Sequence, residues 1–195
     1  TNLTLTRGAI MAKRSKNDIT IEQLTTACRH FYELKKLDVT ENIAIRQPLK
    51  MVDIYAKMRV IGKCSVDKAN EFDYWSIEAE KVWKQAQLKD PKAKYGSFVR
   101  IEHGTPRTQF TKIVLEKYDQ NKTLTIKTME DLIRSKWKVA VITKEEDARI
   151  NANGDRRNPK NKSPEKRWAD AGIKFPIGKK PNEISNPDKR ASNRF

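Results

Sequence analysis

From Ile21 onward the apolar residues fall three and four positions apart, at Ile21, Leu24, Cys28, Phe31 and Leu34. That spacing is the period of an α-helix, and it gathers the five side chains into one stripe that has to be buried against a neighbour. It predicts a helix over about 19–36, capped by Asp18 or Thr20, with Gln23 three positions after Thr20 as in a capping box. A second helical stretch follows Pro48, a residue suited to a first helical turn, through Leu49, Val52, Tyr55 and Met58 until Gly62. A third is expected from Ser65 to about Leu88, with Val66, Ala69, Phe72, Ala79, Val82 and Ala86 inward and Trp75 and Trp83 close to one face. Three such stripes with short connections predict a small helical bundle.

The character changes after Asp90-Pro91. Tyr95 to Ile101 reads as a short strand or an extended lead-in, and 107–118 reads as a helix with Phe110, Ile113, Val114 and Tyr118 as its apolar set. Thr128, with Asp131 three positions on, is expected to cap a helix to Trp137. Val139-Ala140-Val141-Ile142 is continuous and β-branched, the mark of a buried strand. Thr143 then caps a helix through Ile150, whose first turn carries Glu145, Glu146 and Asp147 where the helix dipole favours them. The expected fold class is therefore α+β, mainly helical: a helical subdomain over 11–90, a small α/β subdomain over 91–150 and a basic, largely irregular arm over 151–195. Residues 1–10, ahead of Met11, read as an extension.

The arm holds five of the eight prolines and twelve Lys/Arg against five Asp/Glu, a composition that resists a core of its own. Arg167 to Ile173 is the exception, because Trp168 and Ile173 could dock a short helix onto the body. The whole chain has 41 Lys+Arg against 25 Asp+Glu, a formal charge of +16. Such an excess attracts polyanions over a Debye length of about 8–10 Å. Nucleic acid is the expected partner, with an acidic protein as the alternative. No stretch approaches the ~18 apolar residues of a membrane span, so no membrane partner is expected. Two isolated cysteines, Cys28 and Cys64, suit a reducing compartment, and the expected location is cytoplasmic. Scattered single glycines and the lack of a Gly-x-Ser-x-Gly segment argue against nucleotide-cradling and acyl-transfer enzymes. Glu33-Leu34-Lys35 has the spacing of some nuclease cores but sits within the first helical stripe, where it reads as a solvated face.

Glu102-His103-Gly104-Thr105-Pro106 is the most informative constellation. A histidine at the end of a strand and before a Pro-containing turn is placed to face a cleft, and beside a carboxylate it has the chemistry of a general base. The segment resembles the opening of the catalytic motif of HNH, or ββα-metal, nucleases. That resemblance implies His103 as the base, Glu102 as a ligand to a divalent metal (Mg or Mn) and phosphodiester hydrolysis. Separately, if the helix after Thr143 faces this turn, its acids, Glu146 and Asp147 among them, are expected to complete a site of oxygen ligands. Only the opening matches: no histidine follows His103, and the acids and Asn151 and Asn153 lie some 40 residues on. The residues alone also allow a plainer reading, in which His103 braces a turn, Glu102 joins an ion pair and the later acids complement their helix. Arg100 and Arg107 flank the motif and are expected to hold phosphates. In the arm, Arg156, Arg157, Lys160, Lys162, Lys166 and Arg167 are expected phosphate contacts, and Trp168, interleaved with them, a stacking platform for unpaired bases. The same residues are also compatible with a solubilising tail. The sequence thus points to a nucleic-acid-binding protein, and the resemblance at Glu102–Pro106 implies metal-dependent endonuclease activity in addition. The alternatives are a non-catalytic nucleic-acid-binding accessory protein and a basic module that inhibits a nucleic-acid enzyme.

Overall fold

Local capping starts the first helix where the pattern predicts. Thr20 Oγ1 accepts from Gln23 N at 3.0 Å and Gln23 Oε1 accepts from Thr20 N at 2.9 Å, which opens α1 (Ile21–Lys36). The computed structural model of the chain describes residues 19–60, 69, 72, 74–154 and 162–179. The extension, Cys64, Ser65, Arg156, Arg157 and Lys160 lie outside them. A one-turn helix, α2 (Glu41–Ala44), precedes α3 (Arg46–Val60), which carries Pro48 in its first turn.

The third expected helix is corrected. It runs as α4 (Ile77–Lys89), capped by Ser76, whose Oγ accepts from Ala79 N at 3.0 Å. Residues 74–76 are extended instead, because Val141 N donates to Tyr74 O and Ser76 N donates to Val141 O, each at 2.9 Å. A backbone bridge from Trp75 to Val141, 66 positions later, outweighs the helical period there. After the single turn α5 (Tyr95–Phe98), strand β1 (Val99–His103) begins four residues later than the extended segment was expected to. α6 (Arg107–Asn121) follows, then α7 (Ile126–Lys136), capped by Thr125 rather than Thr128. β2 (Val139–Thr143) runs antiparallel to β1, pairing Val99 with Thr143 and His103 with Val139. α8 (Lys144–Ala152) and α9 (Pro164–Asp170) complete the described elements. The protein is a mainly helical α+β fold, with one two-stranded antiparallel sheet among the described residues. Among the described residues no helix is long and apolar enough to cross a membrane.

Every residue of β2 is buried, and alternation explains why the run is continuously apolar. Successive strand side chains point to opposite faces. Val139 and Val141 enter the main core with Leu24, Phe31, Val52, Val99, Phe110 and Met129, which draws on both sides of Asp90. Ala140 and Ile142 enter a second core with Tyr74, Ile150, Trp168, Ala171 and Ile173. Docking of the short α9 therefore fills the far face of β2. Trp168 is 1% exposed and packs against Tyr74 and Phe175, which stack on each other at 4.1 Å.

The Gly104 backbone lies directly beneath α9. A β-carbon there would stand 2.3 Å from Pro164 Cβ and 3.1 Å from Trp168 Cζ2. Gly104→Ala is expected to lower the unfolding free energy by about 1–3 kcal/mol, the usual cost of overpacking. Chemical denaturation checks this, and an unchanged midpoint would show that α9 does not depend on that close approach.

Candidate functional site

The turn between β1 and α6 is held from three sides. Gly104 N donates to Lys138 O at 2.7 Å, extending the ladder one residue past the strand. Arg167, only 1% exposed, donates from Nη1 to His103 O at 2.9 Å and to Gly104 O at 3.1 Å, and the same nitrogen lies 2.5 Å from Glu102 Oε1. Lys138 and Glu165 form a further ion pair between the turn's neighbour and α9. A guanidinium this deeply buried needs a counter-charge and carbonyl acceptors to offset its lost hydration, and the turn supplies both.

Around this turn opens a cleft of about 730 Å³. β1 lines it with Arg100, Ile101, Glu102 and His103, and the start of α6 lines it with Pro106, Arg107, Thr108, Gln109 and Lys112. Leu49 of α3, Asp147 of α8 and Arg167 of α9 complete it. Arg100 Nη1 donates to Gly96 O at 2.6 Å and Val99 O at 3.0 Å, which fixes its guanidinium along the strand. Arg107 Nε stands 2.8 Å from Asp53 Oδ1, and Asp53, 6% exposed, is also 2.6 Å from Lys57 Nζ. Lys112 pairs with Glu41 at 2.7 Å. α6 starts on Pro106 without a side-chain cap and with no acid in its first turn, so the positive end of its dipole opens onto the cleft uncompensated by a carboxylate of its own.

His103 closes one end of the cleft. Its ring meets Trp137 edge-on at 4.9 Å, and the residue keeps some surface on the cleft while Nε2 is sealed and has no hydrogen-bond partner among the described residues. Burial pushes its pKa down to about 4; nearby Asp53 opposes the shift, and Arg107, Lys57 and Arg167 add to it. The ring is therefore neutral at physiological pH and a weak base.

The structure brings Arg100, Glu102, His103, Arg107, Asp147 and Arg167 onto one cleft, and α8 packs on both strands. Strand, strand and helix thus come together with α6 and α7 inserted between the strands. Glu146 is not part of the cleft. It is 2% exposed, and its Oε2 accepts from Ser76 Oγ at 2.6 Å and Thr143 N at 2.9 Å, which makes it the return arm of the α8 capping box. With Glu102 on Arg167 and Glu146 in a cap, the carboxylates do not form the expected set of Glu102, Glu146 and Asp147. Among the described residues no group of three or more His, Cys, Asp or Glu side chains is placed to hold a metal ion.

The arm residues are also redistributed. Arg167 and Trp168 are buried rather than presented to phosphate or base, because α9 packs them into the turn and the second core. Lys162 and Lys166 both pair with Asp170, at 2.8 and 2.7 Å. Lys112 and Asp53 went unflagged in the sequence. The available signals were weak: Lys112 lies a turn and a half after Arg107, and Asp53 is the lone acid of its helix with Lys57 four residues on. No family model, curated protein or solved structure matches the chain.

Two outcomes follow for stability. Arg167→Leu removes the buried guanidinium that meets Glu102 and two carbonyls and is expected to cost about 3–5 kcal/mol, read by urea denaturation. The His103 ring is held neutral in the fold, so as pH falls from about 6.5 toward 4 the unfolded chain takes up a proton that the folded chain refuses. Stability drops there by roughly 3 kcal/mol and levels off below about 4. His103→Phe is expected to flatten that window in urea midpoints measured across pH; equal slopes in both proteins would contradict the assignment.

Proposed function

We propose that this cleft holds the phosphate backbone of a nucleic acid, and that the protein binds its ligand without cleaving it. The observation that carries the reading is the convergence of Arg100, Arg107 and Lys112 on one cleft beside the uncapped start of α6, in a chain of formal charge +16. Each of the three is oriented by a protein partner, which lowers the ordering cost of meeting a phosphate. Helix N-termini and guanidiniums are recurrent phosphate partners. Among the described residues Asp147 is the one lining carboxylate outside the Arg167 cluster, and it opposes the ligand. Binding without cleavage is favoured because Glu102 and Glu146 are spent on structural contacts and His103 is a weak base. On this reading the protein works in the cytoplasm, as a nucleic-acid-binding accessory protein.

The test is affinity for an oligonucleotide against salt concentration. Arg107→Ala and Lys112→Ala are each expected to reduce the log–log slope by about 0.7–0.9. Asp147→Asn is expected to tighten binding about two- to threefold through the loss of one repulsive charge. Unchanged slopes in Arg107→Ala and Lys112→Ala, with unchanged affinity in Asp147→Asn, would place binding outside the cleft.

A further inference from the structure

We infer that the ligand of this cleft is single-stranded nucleic acid, one or two nucleotides of which enter while the flanking backbone meets the rim; this rests on the nucleic-acid reading above. The volume of about 730 Å³ is that of a small-molecule pocket, which spans roughly 300–1,000 Å³. It takes a nucleotide or two and not a stacked duplex. The cations stand at two depths. Arg107 and Lys112 have side chains 48% and 44% exposed, whereas Arg100 is half-buried along β1 and fixed on Gly96 O and Val99 O. A duplex laid over the mouth reaches the first two; a strand that enters also reaches Arg100. Leu49, Ile101 and Pro106 add apolar surface to the same lining. Duplex DNA has little use for such surface, because its base faces are already stacked. Unpaired bases need it, and base faces packed on protein are the usual mode of single-strand recognition.

The alternative occupant of a strand edge is an extended peptide, and the backbone argues against it. The Gly104–Lys138 bond sets the alternation, so Val99, Ile101 and His103 turn their backbone groups away from β2. Arg100 already covers the Val99 carbonyl and Arg167 the His103 carbonyl. Ile101 and the His103 N–H are what these bonds leave uncovered, too short a stretch for strand addition.

The experiment is fluorescence anisotropy with the full chain, using a labelled strand of about 12 nucleotides, as DNA and as RNA, alone or annealed to its complement. The single strand is expected to bind about tenfold more tightly than the duplex. Arg100→Met is expected to lower single-strand affinity about tenfold and to change duplex affinity less than about twofold. Because Arg100 also braces α5 and β1, Leu49→Ala serves as the charge-neutral second variant, with an expected loss of about threefold for the single strand alone. Duplex binding equal to or tighter than single-strand binding overturns this inference and leaves the nucleic-acid reading standing. A single-strand preference that neither variant alters overturns it too, since the strand then sits elsewhere. Binding to neither form overturns the nucleic-acid reading and this inference together.

Discussion

The Arg167 guanidinium is the contact on which the site depends. One buried nitrogen meets the Glu102 carboxylate and the carbonyls of His103 and Gly104, and so ties α9 to the end of β1 and to the turn into α6. Removing the positive charge takes the buried donor from a carboxylate and two carbonyls at once, which is why such an ion pair is costly to break even where it adds little net stability. The geometry explains the neighbouring glycine. α9 can bring Arg167 this close only if position 104 has no β-carbon, since one would overlap Pro164.

Around that clamp, β2 divides the apolar residues of the chain. Its odd positions close the helical core and its even positions close the smaller core capped by α9. Trp168 therefore belongs to the interior even though it lies in the most basic and proline-rich part of the sequence. The cleft forms where these units meet, with β1, α6, α8 and α9 each contributing a wall. Its lining cations each have protein partners: Arg107 has Asp53, Arg100 two carbonyls and Lys112 Glu41.

What could be read from the sequence was local. The Thr20–Gln23 capping box, the α1 stripe, the Val139–Ile142 strand and the Thr143 cap all depend on neighbours within four positions, and all appear in the structure. The helix expected from Ser65 failed because Tyr74 and Ser76 bond to Val141, a pairing with no local signature. The α7 cap moved by one step of three because Thr125 and Thr128 are both competent and their hydroxyls lie 2.8 Å apart. The Glu102–His103 turn marked the position of the cleft. Its chemistry was harder to read: whether a carboxylate faces a ligand or an arginine 65 residues away is decided by tertiary packing. Asp53 and Lys112 were missed for the same reason.

The central claim is that a nucleic-acid strand sits in the cleft between β1 and α6. Backbone amide chemical shifts recorded while a short oligonucleotide is titrated in test it most directly. Amides of 100–103 and 107–112 are expected to shift together and to saturate with the binding curve. Saturable binding that moves other amides and leaves both of those segments unchanged would contradict it.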